Sequence, residues 1–201
     1  MPKRNKPLIA VTGGIGSGKS VVCRILRTLG YSVLDTDSEA KAIMDADRDI
    51  HARLNSEIAA EIVRDGVIDR RRLAEIVFAD AEKLAILNSI VHAAVRHRIE
   101  EWAQTAPSSP AFVETALLFQ SGLNEMVDAE LRITAPEEIR IRRVMERNNL
   151  TRDKIEARIA SQAYIPAPNA TIPPLTEVKN DEITPVLPQV ERFLNLTISD
   201  S

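Results

Sequence analysis

The sequence of 201 residues is short of several residue types, and each shortage narrows its class. It has a single cysteine, Cys23, so an intramolecular disulfide is excluded and a reducing compartment is expected. No apolar run approaches the ~20 residues that a membrane-spanning helix needs. Basic residues are not in excess, because the formal net charge is −3, which argues against nucleic acid as a bulk electrostatic partner. We therefore expect a cytoplasmic protein that binds neither membrane nor nucleic acid.

Glycine is also scarce, but four of the seven glycines fall within one stretch of eight residues. That stretch reads Gly13-Gly14-Ile15-Gly16-Ser17-Gly18-Lys19-Ser20 and matches G-x-x-x-x-G-K-[ST], the phosphate-binding P-loop. The apolar run at residues 8–11 predicts a buried strand before it, and apolar residues at helical spacing after Ser20 predict a helix that ends near Gly30. Strand, loop and helix are the context that the motif requires, so a turn that binds nothing is disfavoured.

The P-loop predicts a site for a nucleoside triphosphate and a magnesium ion. Its glycines permit a close approach of the backbone to phosphate, and amides of the loop and of the helix N-terminus point at the anion. In this pattern Lys19 reaches the β- and γ-phosphates and the Ser20 hydroxyl binds Mg²⁺. We therefore expect the segment from Gly13 to Val21 to bind ATP, with Lys19 also acting in catalysis.

Two acidic residues, Asp35 and Asp37, end the next β-prone run, which begins at Tyr31. Ligands of a doubly wound sheet bind beyond the carboxyl ends of its strands, where this run would place both carboxylates. There the carboxylates are suited to bind magnesium or to accept a proton from an attacking hydroxyl group. The alternative is that Asp37 only caps the next helix, and the residues alone leave both interpretations open.

The rest of the chain predicts an α/β fold, a doubly wound parallel sheet of the P-loop NTPase type. Further strands are expected at residues 111–114, 131–134 and 177–179, and a final helix after Pro185. Between the second and third strands the apolar spacing is helical and is interrupted by a turn at Asp65-Gly66. About sixty helical residues exceed a simple crossover, so part of them should form a helical subdomain beside the sheet.

A densely basic stretch follows Pro136, Glu137 and Glu138, which together predict a helix start. It carries seven basic residues on two helical segments divided at residues 148–151: Arg140, Arg142, Arg143, Arg147, Arg152, Lys154 and Arg158. Arginines on a mobile helical hairpin can close over a triphosphate, since the guanidinium fork binds phosphate oxygens bidentately. The alternative is a pair of exposed helices with interleaved acidic partners, but with a P-loop present we favour a lid.

Together these features make the sequence resemble the dephospho-CoA kinase family from about residue 9 to residue 162. A P-loop alone is shared by many proteins, whereas the ordered set of motifs is far more discriminating. After the P-loop that set comprises Asp35-Thr36-Asp37, Asp65-Gly66-Val67-Ile68-Asp69-Arg70, Leu87-Asn88-Ser89-Ile90-Val91-His92, Leu117-Leu118-Phe119, Arg143-Val144-Met145-Glu146-Arg147 and Arg158-Ile159-Ala160-Ser161-Gln162.

The resemblance implies transfer of the ATP γ-phosphoryl group to the ribose 3′-hydroxyl of dephospho-CoA. It implies Asp37 as the general base and Asp35 near the metal, with Arg143 and Arg147 reaching the phosphoryl group from the lid. Asn180 would lie near the adenine. The residues implied on the acceptor side are Asp35, Arg70, His92, Leu117 and Gln120.

The resemblance also implies a build in three parts. The nucleotide-binding core would comprise about residues 1–37, 108–136 and 170–201. A helical acceptor-binding subdomain would occupy about residues 38–107, and the lid about residues 137–169.

The sequence departs from the family pattern at a few positions on the acceptor side. Ala93 stands where a proline usually follows the histidine, and the usual acidic-x-Pro-Leu-Leu-Phe-Glu segment has Ala116 and Gln120 in place of its proline and final glutamate. Gln120 keeps hydrogen bonding but loses a charge. Two other functions stay open at this point: a P-loop kinase for another nucleoside or nucleotide, and a nucleotide-binding regulator without transfer activity.

Overall fold

The structure is a computed structural model, and it describes residues 6–148, 150–162, 166 and 169–199. Parts of the predicted lid, at residues 149, 163–165, 167 and 168, lie outside the described residues. The chain divides into two compact units: a first unit of Met1–Leu34 with Ala103–Ser201, and a second unit of Asp35–Trp102. None of the described helices combines the length and the apolar composition that a membrane crossing requires.

The described strands are β1 (Leu8–Thr12), β2 (Val33–Asp35), β3 (Val63–Arg64), β4 (Val67–Ile68), β5 (Ala111–Glu114), β6 (Ala129–Thr134) and β7 (Leu175–Lys179). The described α-helices are α1 (Lys19–Thr28), α2 (Thr36–Ala46), α3 (Arg48–Arg53), α4 (Arg70–Ala79), α5 (Ala81–Thr105), α6 (Glu137–Asn148), α7 (Arg152–Gln162) and α8 (Val186–Ser199).

Five strands form the sheet of the first unit in the order β2-β5-β1-β6-β7. Strand β1 pairs in parallel with β5 and β6, and β6 pairs in parallel with β7. All five residues of β1 are buried, as expected for a central parallel strand whose two faces are both covered. The predicted α/β fold with a doubly wound parallel sheet is therefore confirmed.

One face of this sheet packs against α1 and α8. Ile9 and Val11 lie on the same face of β1, because successive side chains of a strand point to opposite sides and residues two apart share a side. The cluster that covers them comes from the two helices and the neighbouring strands: Val22, Cys23, Leu26, Phe112, Leu131, Ile133, Val178, Val190, Phe193 and Leu194. This packing fixes α1, and with it the loop that joins β1 to α1.

Helix α1 ends as the sequence predicts, with Gly30 just beyond it. Gly30 has a φ of +91°, and its N–H donates to the Arg27 carbonyl at 3.1 Å. The N–H of Tyr31 donates to the Leu26 carbonyl at 3.0 Å, which completes a Schellman motif. The β-prone run that follows is shorter than expected, because β2 spans three residues and α2 starts at Thr36.

The second unit is mostly helical, with one hairpin that the apolar pattern does not reveal. Strands β3 and β4 pair antiparallel around the predicted turn, where Asp65 and Gly66 have φ values of 51° and 77°. Two consecutive residues with positive φ are typical of a type I′ turn. A π-helical turn, Leu54–Ile58, continues α3, and its apolar side chains join those of α4 and α5 in a separate core: Ile50, Leu54, Ile58, Ile62, Ile68, Leu73, Val77 and Ile90.

Candidate active site

The P-loop joins the buried strand β1 to helix α1. The Ser17 N–H donates to the Gly14 carbonyl at 3.1 Å, and Gly18 is the N-cap of α1 with a left-handed conformation. The ammonium group of Lys19 curls back to donate to the Gly13 carbonyl at 2.7 Å. The loop therefore has the closed shape of a phosphate-binding nest at a helix N-terminus.

The Ser17 hydroxyl has no hydrogen-bond partner, although its residue is only 1% exposed. In the part of the chain that the structure describes, it is the one buried side-chain oxygen or nitrogen in that state. Buried polar groups are normally satisfied, so an orphan of this kind calls for an explanation. A phosphate oxygen in the P-loop would accept its hydrogen bond, and the loop thus fits a polyphosphate.

Helices α6 and α7 pack on the tip of the P-loop. They contact each other through an apolar cluster of Ile141, Val144 and Ile155, which the side chain of Ile15 joins, and through an ion pair of Arg152 with Glu138. The Ile15 N–H donates to Gln162 Oε1 at 2.7 Å, and the Ile15 carbonyl accepts from Arg140 Nε at 2.9 Å. Both helices of the predicted lid therefore contact the P-loop directly.

Asn180, just beyond β7, closes the other side of the loop. Its Nδ2 donates to the Ser17 carbonyl at 2.8 Å, and a Cβ on Gly18 would lie 2.0 Å from that nitrogen. Arg143 of α6 donates to the Asn180 carbonyl at 3.1 Å and to the Gly16 carbonyl at 3.4 Å, and it pairs with Glu182 at 3.2 Å. The structure thus brings two predicted site residues, Asn180 and Arg143, against the P-loop.

The second predicted lid arginine, Arg147, lies one helical turn beyond Arg143 and is exposed. Its Nε donates to the side chain of the adjacent Asn148 at 2.8 Å, and among the described residues it has no hydrogen bond to the P-loop. Arg140 instead contacts the loop, and its burial there lowers the pKa of its guanidinium.

The sequence interpretation gave no separate role to Arg140 or Gln162. The sequence signal that could have indicated a close contact with the loop is the presence of Gly14 and Gly16, two glycines that the motif does not require.

A buried polar network underlies the start of the P-loop. Glu130 of β6 is 2% exposed and accepts hydrogen bonds from the Thr12 hydroxyl and from Arg132, the latter at 2.8 and 2.9 Å. Thr12 is the last residue of β1 and directly precedes Gly13. The pair of Glu130 and Arg132 therefore anchors the strand end from which the loop begins.

Cys23 lies in α1 at the same end of the sheet and is fully buried. Burial raises the pKa of its thiol far above the ordinary range. Charge repulsion by Glu114 and the hydrogen bond that the thiol donates to Glu114 add to the effect, while Arg27 and Lys19 oppose it. A thiol held neutral in this way is a poor nucleophile. Cys23 is therefore a small packing residue of α1.

The remaining predicted site residues divide between the two units. Leu117 and Gln120 belong to the first unit, in the loop after β5, where both are half-buried and the Leu117 N–H donates to Thr115 Oγ1 at 3.1 Å. In the second unit, Arg70 pairs with Asp45 at 2.6 Å on an exposed surface. His92 is half-buried, and burial together with the charge of Arg96 lowers its pKa.

Asp35, not Asp37, caps helix α2. The Asp35 side chain accepts from the N–H groups of Asp37 and Ser38 at 3.0 and 3.4 Å and from the Ser38 hydroxyl at 2.8 Å. The interpretation of Asp37 as a cap is therefore wrong, because β2 ends two residues before it and gives the N-cap position to Asp35. The carboxylate of Asp37 is exposed in the first turn of the helix.

A magnesium ion has two candidate ligands among the predicted residues, Ser20 and Asp35. Ser20 is exposed in the first turn of α1, and Asp35 already accepts the three hydrogen bonds of the α2 cap. Within the described ranges there is no cluster of three or more His, Cys, Asp or Glu side chains suited to a metal. Hydroxyl and carboxylate oxygens are each suited to Mg²⁺, which is usually held by few protein ligands together with substrate phosphates.

Known proteins resemble the chain in both sequence and structure. The family model for dephospho-CoA kinase matches residues 7–168. A dephospho-CoA kinase from Porphyromonas gingivalis is 39% identical over 154 residues, covering 77% of this chain and 76% of that protein. The structure of TT1252 from Thermus thermophilus is 34% identical, with a TM-score of 0.74 and 98% of each chain covered. The dephospho-CoA kinase from Campylobacter jejuni is 25% identical, with a TM-score of 0.67, covering 96% of this chain and 98% of that one.

Proposed function

The chain belongs to the dephospho-CoA kinase family, and from that premise we propose how its residues carry out the reaction. The protein is a kinase that phosphorylates dephospho-CoA with ATP. We propose the ribose 3′-hydroxyl as the acceptor, so that coenzyme A and ADP are the products. Nothing in the comparisons favours a kinase for another nucleotide or a regulator without transfer activity.

The observation that carries this function is the P-loop itself, closed between β1 and α1 with an unpaired, buried Ser17 hydroxyl. Loop amides and the Ser17 hydroxyl would donate to the phosphates of ATP. Lys19 would exchange its bond to the Gly13 carbonyl for the β- and γ-phosphates. The position of Asn180 against Ser17 and Gly18 supports a nearby site for the adenine.

In the transfer step, the oxygen of the 3′-hydroxyl forms a bond to the γ-phosphorus, and the bond from that phosphorus to the β,γ-bridging oxygen breaks. The proton of the hydroxyl passes to the carboxylate of Asp37, which acts as general base. The exposure of Asp37 and the use of Asp35 as the cap support this choice, since the carboxylate of Asp37 is accessible to a substrate.

Charge on the transferring group would be stabilised from the lid, which we propose comprises α6 and α7. Arg143 already contacts the P-loop, whereas Arg147 must move from its present contact with Asn148 to reach a phosphate. Ser20 would hold Mg²⁺ with Asp35 near its coordination shell. The ion, when bound with ATP, neutralises charge on the β- and γ-phosphates.

We propose that Arg70, His92, Leu117 and Gln120 contact the acceptor, dephospho-CoA. Arg70 can exchange its exposed ion pair with Asp45 for a phosphate oxygen of the substrate, because exposed pairs are weak. The lone, buried Cys23 supports a reducing, cytoplasmic setting for the enzyme.

The test is ADP release from magnesium-ATP with and without dephospho-CoA, with adenosine, AMP and pantothenate as control acceptors. We expect release that depends on dephospho-CoA and is matched mole for mole by coenzyme A. If AMP or adenosine supported ADP release as well as dephospho-CoA does, the proposed acceptor would be wrong. Tight ATP binding without turnover on any acceptor would contradict the assignment as an enzyme.

A further inference from the structure

Ile15, at the tip of the P-loop, contacts the α6–α7 hairpin through its N–H group, its carbonyl group and its side chain. Its N–H is bonded to Gln162 at 2.7 Å, its carbonyl to Arg140 at 2.9 Å, and its side chain packs in the apolar cluster between the two helices. The two polar partners lie 147 and 125 residues away along the chain. The fold has thus brought two separate helices onto a single loop residue.

The residues on either side of Ile15 are glycines at positions where the P-loop motif accepts any residue. A Cβ on Gly14 would lie 2.2 Å from Arg140 Nη2, and one on Gly16 would lie 2.5 Å from the Arg140 carbonyl oxygen. Both glycines therefore leave room for Arg140. Glycine also permits many backbone conformations, so a Gly-Ile-Gly tip has little intrinsic preference for one shape.

We propose that Gln162 and Arg140 are positioning residues, which hold the P-loop tip in its phosphate-binding shape before ATP arrives. They act through the backbone of Ile15 and bind no substrate themselves. This inference rests on the proposed function in so far as the P-loop must bind ATP.

The proposal has a specific kinetic consequence. If the tip is released, only a fraction of the molecules has the binding-competent loop, and the apparent Kd for ATP rises by the inverse of that fraction. Once ATP is bound, the loop has been selected in its competent shape, so turnover at saturating ATP is preserved. A positioning role therefore changes the affinity for ATP and leaves kcat nearly unchanged.

The experiment compares Gln162→Leu, which removes the acceptor of the Ile15 N–H, with Ser161→Ala, a control at the exposed neighbouring residue of α7. Calorimetry with a non-hydrolysable ATP analogue measures Kd, and coenzyme A formation at saturating ATP measures kcat. For Gln162→Leu we expect Kd to rise about tenfold, the change that one ordinary hydrogen bond produces, with kcat within about twofold of the parent value. Ser161→Ala should match the parent in both quantities.

Three further measurements keep the proposal open to refutation if Gln162→Leu folds poorly. Gln162→Asn retains the amide but shortens the side chain by one methylene, so it should raise Kd in the same direction. Amide exchange of Ile15 in the nucleotide-free protein should be slow in the parent and faster in both Gln162 variants. Arg140→Met should likewise raise Kd.

An unchanged Kd in well-folded Gln162 variants, or a fall in kcat at unchanged Kd, would overturn the proposal. Its failure can be told apart from failure of the proposed function, because analogue binding does not require an acceptor. A Kd that depends on Gln162 without any coenzyme A formed would sustain the inference and contradict the function. Coenzyme A formation together with an analogue Kd that does not depend on Gln162 would contradict the inference and support the proposed function.

Discussion

The P-loop in the first unit and the start of α2 in the second both carry candidate catalytic residues, and their surroundings differ sharply. Around the P-loop, the backbone of three loop residues is bonded by side chains from distant elements, among them Arg140, Gln162 and Asn180. At the start of α2, Asp35 is engaged in a local cap, while the carboxylate of Asp37 is exposed.

The difference matches the two tasks of a kinase. A phosphate cradle works by presenting fixed dipoles, so it gains from contacts that hold it before the substrate binds. A general base must touch the acceptor hydroxyl, so it gains from being free of internal partners. We therefore expect variants of the contacts that hold the P-loop to affect ATP affinity or folding, and variants of Lys19 and Asp37, which would meet the reacting groups, to affect turnover.

Loss of the P-loop lysine should have the largest effect on the nucleotide side. Lys19→Met removes a cation that is expected to contact the β- and γ-phosphates, and we expect kcat to fall by about a hundredfold or more. The control is Arg24→Met, which removes an exposed cation from the same helix. Steady-state kinetics with dephospho-CoA would check this, and equal effects of the two variants would contradict the role of Lys19.

The buried network beneath the P-loop should matter for folding. Arg132→Met leaves the Glu130 carboxylate buried without its cation, and because Arg132 is partly exposed we expect a loss of about 2 kcal/mol in the free energy of unfolding. Arg142→Met removes an arginine from the exposed pair with Glu182 and should cost much less of that free energy. Urea unfolding of both variants would measure the two losses. Similar losses in the free energy of unfolding would contradict the expected difference between the buried network and the exposed pair.

The two glycines beside Ile15 should differ in their tolerance of a methyl group. At Gly16 a Cβ would meet backbone atoms of Arg140 and φ is +78°, whereas at Gly14 it would meet only the flexible end of the Arg140 side chain. Gly16→Ala should therefore weaken ATP binding by about tenfold or more, since strain and clash both displace the tip. Gly14→Ala should weaken it less, and the opposite order in calorimetry would refute this reading of the contact.

The smallest effect is expected at His92 in the second unit. Its pKa is lowered by burial and by Arg96, so below about pH 6.5 the unfolded chain binds more protons than the native one. Stability should consequently fall as the pH drops through that value toward the native pKa, and His92→Gln should reduce the fall. Urea midpoints at about pH 7.5 and pH 5.5 would measure it; identical slopes for parent and variant would show that His92 does not contribute.

Features encoded by neighbouring residues could be predicted from the sequence. The P-loop, the end of α1 at Gly30, the turn at Asp65-Gly66 and the division of the two basic helices all depend on short patterns of glycine, proline and apolar residues. The fold class also follows from the alternation of strands and helices, which favours a doubly wound parallel sheet.

What could not be predicted depends on contacts between distant parts of the chain. Nothing in the composition of α6 or α7 indicates that Arg140 and Gln162 meet Ile15, because those contacts arise only when the helices have packed. The choice between Asp35 and Asp37 as the cap also depended on where β2 ends, a difference of two residues. The strands of the short hairpin were missed because each has two residues, too few to show alternation.

The most direct test of the account is the turnover of Asp37→Asn beside a matched control, Asp49→Asn. Asp49 occupies the same place in α3 as Asp37 does in α2: it is exposed in the first turn, two residues after a capping aspartate, Asp47. We predict that Asp37→Asn lowers kcat by about a hundredfold or more, the scale of a general base, with ATP affinity unchanged. Asp49→Asn should leave both quantities unchanged. Near-normal turnover of Asp37→Asn would contradict the assignment of Asp37 as the base.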